Sequence, residues 1–81
     1  MMKRAPNNSL ILLFEHPNKN EAVYVGQRTP YSKYNVRYRN YDEEDSIKLG
    51  KYDTLEEVLE CIKKIENRPW FYKKAKEEFN I

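Results

Sequence analysis

Apolar residues alternate with polar ones through the middle of this chain and recur at helical spacing towards its end. Residues 9–14, Ser-Leu-Ile-Leu-Leu-Phe, form an apolar block too short for a stable helix and bounded by a turn cluster, so they read as a buried strand. His16-Pro17-Asn18-Lys19-Asn20 is the turn, because Pro presets φ and Asn tolerates the left-handed region. Residues 21–26 are β-branched and aromatic and read as the return strand. After a loop around Pro30, residues 33–41 show a period of two. Tyr34, Val36 and Tyr38 share one face; Lys33, Asn35, Arg37 and Arg39 share the other. Asp42-Glu43-Glu44-Asp45 repel one another and belong in a solvated hairpin loop. Residues 46–50 resume the alternation, with Ile47 and Leu49 inward, Lys48 outward and Gly50 at the end of the strand.

The period then changes. Thr54 followed by Glu57 is a capping box, and Leu55, Val58, Leu59, Ile62 and Ile65 recur at helical spacing, which predicts a helix over 54–66. Its acids come early and its lysines late, in the order the helix dipole favours, and Glu60 with Lys64 is an i,i+4 pair. Pro69 cannot continue that helix but suits the first turn of another. Residues 69–79 are therefore a second, shorter helix, with Trp70, Phe71, Ala75 and Phe79 as its apolar stripe. The expected fold is α+β: a small antiparallel sheet of three to four strands, one face covered by the helix 54–66 and the other left in water. Residues 1–8 read as a flexible tail and 9–81 as a single domain.

Composition narrows the chemistry. The 81 residues carry one cysteine, one histidine and two glycines. Cys61 cannot form an internal disulfide and suits a reducing cytoplasm; it reads as a small core residue of the helix. His16, in a Pro-Asn turn, reads as a solvated loop residue. Neither residue has metal-ligand spacing around it. There is no Ser/His/Asp set and no Gly-rich phosphate loop, so the expected role is non-catalytic, with no cofactor. The five-residue apolar run before Glu15 is shorter than the roughly seven to fifteen residues of a secretory signal, and no run reaches the roughly 18 that a membrane span needs.

The formal charge of +2 hides a division. Residues 1–41 carry +5, residues 42–66 carry −5 and residues 67–81 carry +2. The strands are basic and the main helix is acidic. Lys33, Asn35, Arg37, Arg39 and Lys48 would gather on the wet face of the sheet, with Tyr41 in the same parity and Tyr31 just before the strand. Such a face suits a nucleic acid, with duplex DNA as the expected form. A different surface offers a second role. Asp42, Glu43, Glu44 and Asp45, or the aromatic Trp70 beside Phe71 and Tyr72, would suit a small phage or accessory protein that binds and modulates a host protein. An exposed strand edge at 9–14 or 46–50 offers a homodimer contact.

The stretch Tyr34-Asn35-Val36-Arg37-Tyr38-Arg39, followed by Lys48-Leu49-Gly50-Lys51-Tyr52-Asp53-Thr54-Leu55-Glu56-Glu57, resembles a pattern in certain small DNA-binding domains. These are the three-stranded domains of plant ethylene-response factors and the arm-site-binding domains of phage-type integrases. The resemblance spans roughly residues 22–66. It implies three antiparallel strands packed on a helix, with the sheet laid into the DNA major groove and Lys33, Arg37, Arg39 and Lys48 as contact residues. The strand 9–14 and the second helix are additions to that pattern.

Overall fold

Four strands precede two helices in the computed structural model, which describes residues 6, 8–65 and 68–80. The strands are β1 (Leu10–Glu15), β2 (Glu21–Gln27), β3 (Tyr34–Asn40) and β4 (Asp45–Tyr52); the helices are α1 (Leu55–Lys63) and α2 (Pro69–Phe79). The sheet is antiparallel throughout, in the order β1-β2-β3-β4, so the fold is α+β as expected. Most of the expected tail lies outside the described residues. No helix among the described residues is long and apolar enough to cross a membrane.

Cross-strand partners share a face, so the register sorts the side chains. Leu12, Val25 and Val36 are partners across β1, β2 and β3, as are Phe14, Val23 and Tyr38. From this face Phe14, Val23, Val25 and Val36 enter one hydrophobic core with Val58, Leu59 and Ile62 of α1 and Phe71, Ala75 and Phe79 of α2. Apart from the small Ala75, each such side chain, fully buried, contributes about 1.5–3 kcal/mol. Ile11, Leu13, Tyr24, Asn35, Arg37 and Arg39 have the opposite parity and occupy the outer face.

β4 departs from simple alternation. Val36 partners Gly50 but Arg37 partners Lys48, so Leu49 is an extra residue in the ladder, a β-bulge. Leu49 packs against the core, and Gly50 takes φ +148°. Gly50 therefore does not end the strand, as its position suggested. It sits inside the bulge, and β4 continues two residues to Tyr52. The Tyr52 hydroxyl bonds back to the Leu49 carbonyl at 3.3 Å. Asp45 likewise belongs to β4 rather than to the acidic loop. Ile47 partners Tyr38 and so faces the core side as expected, but on this edge strand it stays 48% exposed.

Thr54 caps α1 by accepting a hydrogen bond from the Glu57 N–H at 3.2 Å. The second half of the capping box is rearranged, since the Thr54 hydroxyl itself donates to Glu57 Oε1. α1 ends at Lys63, earlier than the periodicity indicated. Lys64 and Ile65 bond to carbonyls three residues back, which tightens the last turn out of the α form. The Glu60–Lys64 pair is not among the ion pairs of the described residues; on the helices these link Lys74 to Glu77 and Glu78. α2 has the bounds read from the sequence, with Pro69 in its first turn and Asn80 in the left-handed region as its C-cap.

Two readings need correction. His16 is not a solvated loop residue. It is half-buried, with its ring centroid 5.2 Å from that of Trp70 and 5.5 Å from that of Phe71. It also closes the β1–β2 hairpin by donating its N–H to the Glu21 carbonyl at 2.9 Å. Cys61 is half-buried rather than enclosed, at the margin of the core beside Tyr52.

A buried polar contact joins the first residue of β2 to the start of α2. The Glu21 carboxylate accepts from Arg68 Nε and, at 3.0 Å, from a terminal guanidinium nitrogen. The Tyr38 hydroxyl is near enough to favour the charged form of the same carboxylate. The Arg68 hydrogen bonds, opposed by burial, hold the Glu21 carboxyl below its ordinary value. Burial, with Glu21 nearby, pushes the Tyr38 hydroxyl up.

These contacts set four stability outcomes. Thr54→Ala should cost about 1 kcal/mol in chemical denaturation. Gly50→Ala should cost about 1–3 kcal/mol, because an L side chain rarely adopts that φ. Arg68→Ala should destabilise more than Thr54→Ala, since it strands a buried carboxylate. Because the folded pKa of Glu21 lies below its unfolded value, its contribution is present above the ordinary carboxylate range and fades as pH falls through the folded pKa. Unfolding curves of wild type and Glu21→Gln should therefore converge in acid.

Candidate nucleic-acid interface

The outer face is built from alternate residues of all four strands. Three cross-strand rows matter. Leu13 partners Tyr24, Tyr24 partners Arg37, and Arg37 partners Lys48. Above that row Glu15, Ala22, Arg39 and Ser46 align; below it Ile11, Gly26, Asn35 and Lys51 align. Lys48 reaches this face only because the bulge at Leu49 shifts the parity of β4. A regular ladder continued from Tyr52 would turn Lys48 to the core side.

Four of the five basic-face residues named from the sequence are brought together. Asn35, Arg37, Arg39 and Lys48 lie on adjoining strands of one face, and Arg37 and Lys48 sit directly opposite each other. Like charges so placed are destabilising, which makes this pairing a local cost of the fold. The Arg39 guanidinium lies over the Tyr41 ring, 5.0 Å from its centroid. Lys33 stands just before β3 and forms an ion pair with Asp53 at 3.0 Å, both groups exposed. Part of its charge is thus met within the chain.

The other named residues fall elsewhere. Asp42, Glu43 and Glu44 are exposed in the β3–β4 turn, and Asp45, also exposed, opens β4 beside them. Asp42 accepts a hydrogen bond from Asn20 at 3.0 Å, which ties this turn to the β1–β2 turn. Trp70 is half-buried and in ring contact with Phe71 as well as His16. Among the described residues no group of three His, Cys, Asp or Glu side chains is placed to hold a metal ion.

The structure adds residues that the sequence reading did not single out. Tyr24 lies in the second strand of the sheet, and its ring extends over Gly26. A Cβ at Gly26 would stand only 2.6 Å from Tyr24 Cζ. Glycine there lets the ring lie along the sheet instead of standing away from it. Beside it, Ile11 is 65% exposed and Leu13 50% exposed. Lys51 joins the basic side through its pairing with Asn35. A shallow depression of about 480 Å³ is lined by Leu13, Ala22, Tyr24, Arg37, Arg39, Tyr41 and Ser46. The signal for Tyr24 was present, as an aromatic and a glycine two residues apart share a face of a strand. It becomes informative only once the face is known.

The face is therefore divided. Its β1–β2 half is apolar and aromatic, its β3–β4 half cationic, and Glu15 at one corner is the acid in its cross-strand rows. Fold and face together define a small α+β domain with a four-stranded antiparallel sheet and a basic, aromatic outer surface. Neither a protein-family model, nor a curated protein, nor a solved structure matches the chain.

The packing of Tyr24 on Gly26 is directly measurable. The Gly26 Hα resonances should be displaced upfield by the ring in a proton NMR spectrum, and Tyr24→Leu should return them to ordinary glycine positions.

Proposed function

We propose that this chain is a small non-catalytic nucleic-acid-binding domain whose contact surface is the outer face of its sheet. In this reading the helices cover the opposite face, so that the outer face alone meets the ligand. The observation that carries the proposal is the apposition of Arg37 and Lys48, with Arg39 and Lys51 on the same side. A fold gains nothing from placing like charges in register. A phosphate backbone would neutralise them and release condensed counterions. Asn35 and Tyr41 add hydrogen-bonding groups among the cations. The resemblance to small sheet-based DNA-binding domains supports the use of a sheet face. The exposed acids at 42–45 cluster at one end of the sheet and would turn a polyanion away from it.

The test is binding of a labelled oligonucleotide, single-stranded or duplex, followed by fluorescence anisotropy across a salt series. Wild type should bind at low salt and weaken as salt rises. Arg37→Ala combined with Arg39→Ala should lower affinity and reduce the slope of log affinity against log salt by about two. A wild-type protein that shows no salt-sensitive binding to either form would sink the proposal.

A further inference from the structure

We infer that the ligand of the outer face is single-stranded nucleic acid, with an unstacked base lying on the ring of Tyr24; this rests on the nucleic-acid reading above. Two observations separate a single strand from a duplex. The first is the division of the face. Cations line the β3–β4 half through Arg37, Arg39 and Lys48, whereas Ile11, Leu13 and Tyr24 occupy the β1–β2 half. A duplex presents phosphates on both sides of each groove and buries the faces of its bases. It has no use for exposed Ile11 and Leu13 on one side of the contact. A single strand carries its charge along one side and its apolar base faces along the other, which matches the division.

The second observation is the posture of Tyr24. A tyrosine that reads a groove must project from the protein. Here the ring extends over Gly26 with its hydroxyl end nearest the glycine, beside the depression floored by Ala22. The ring thus lies along the sheet, half-buried, and lines that depression. Such a ring offers a π-face rather than a hydrogen-bonding tip, and every base has a π-face to meet it. Arg37, its direct cross-strand neighbour, stands where the phosphate of the stacked nucleotide would lie. The arrangement predicts stacking with little sequence preference.

The experiment compares one mixed-sequence oligonucleotide as single-stranded DNA, as single-stranded RNA and as duplex DNA, at one low salt concentration. Wild type should bind at least one single strand more tightly than the duplex. Tyr24→Ala should weaken single-strand binding roughly tenfold, whereas Tyr24→Phe should retain it, because stacking does not need the hydroxyl. Gly26→Ala should weaken it as well, by displacing the ring while leaving every cation in place. Circular dichroism melts of the variants establish that each is folded. Duplex binding equal to or tighter than both single strands would overturn the inference and leave the proposed function standing. So would unchanged single-strand binding in folded Tyr24→Ala. Absence of binding to all three ligands would overturn the proposed function, and the inference with it.

Discussion

Between the Val36–Gly50 and Arg37–Lys48 pairs the β3–β4 ladder gains one residue, and much of the molecule depends on that gain. A strand has a strict period of two, so a regular β4 has only two options. With Tyr52 on the core side it would bring Lys48 there too; with Lys48 outward it would expel Tyr52. The bulge allows both placements. Leu49 packs against the core, Tyr52 closes back onto the Leu49 carbonyl, and Lys48 stands beside Arg37. Gly50 makes this possible, because its φ is one that side-chain-bearing residues avoid. The hydrophobic core and the basic face are thus joined through one backbone irregularity.

The two sides of the sheet handle charge in opposite ways. On the core side Glu21 is buried, and the structure answers it with two hydrogen bonds from one guanidinium. That contact links residues 47 positions apart and holds the start of α2 against the start of β2. On the outer side Arg37 and Lys48 are left facing each other. A chain that can satisfy a buried acid so completely, yet leaves two cations in register, carries a local conflict of the kind associated with function.

The local elements were legible because their causes are local. Pro69 and the spacing of Phe71, Ala75 and Phe79 set the bounds of α2, and Thr54 before Glu57 marked the start of α1. The alternation through Tyr34–Arg39 separated apolar from basic side chains without reference to any partner strand. Other features arose from distant contacts. His16 looked like a turn residue because its neighbours are Pro and Asn; its packing partners, Trp70 and Phe71, lie more than fifty positions along the chain. Glu21 looked like an ordinary strand-end acid, since nothing near it in sequence announces Arg68.

The candidate face shows the same boundary. Composition and periodicity determined that the strands are basic and that Asn35, Arg37 and Arg39 share a side, since side-chain direction alternates along any strand. Only the tertiary structure decided what lies beside them. Strand order and register set Tyr24 against Arg37 and Lys48 against it on the other side. They also put Ile11 and Leu13 on the same exposed face, although the apolar block 9–14 reads by itself as a buried strand. Register is a property of paired strands, fixed by which side chains the core can bury, and no single strand carries it.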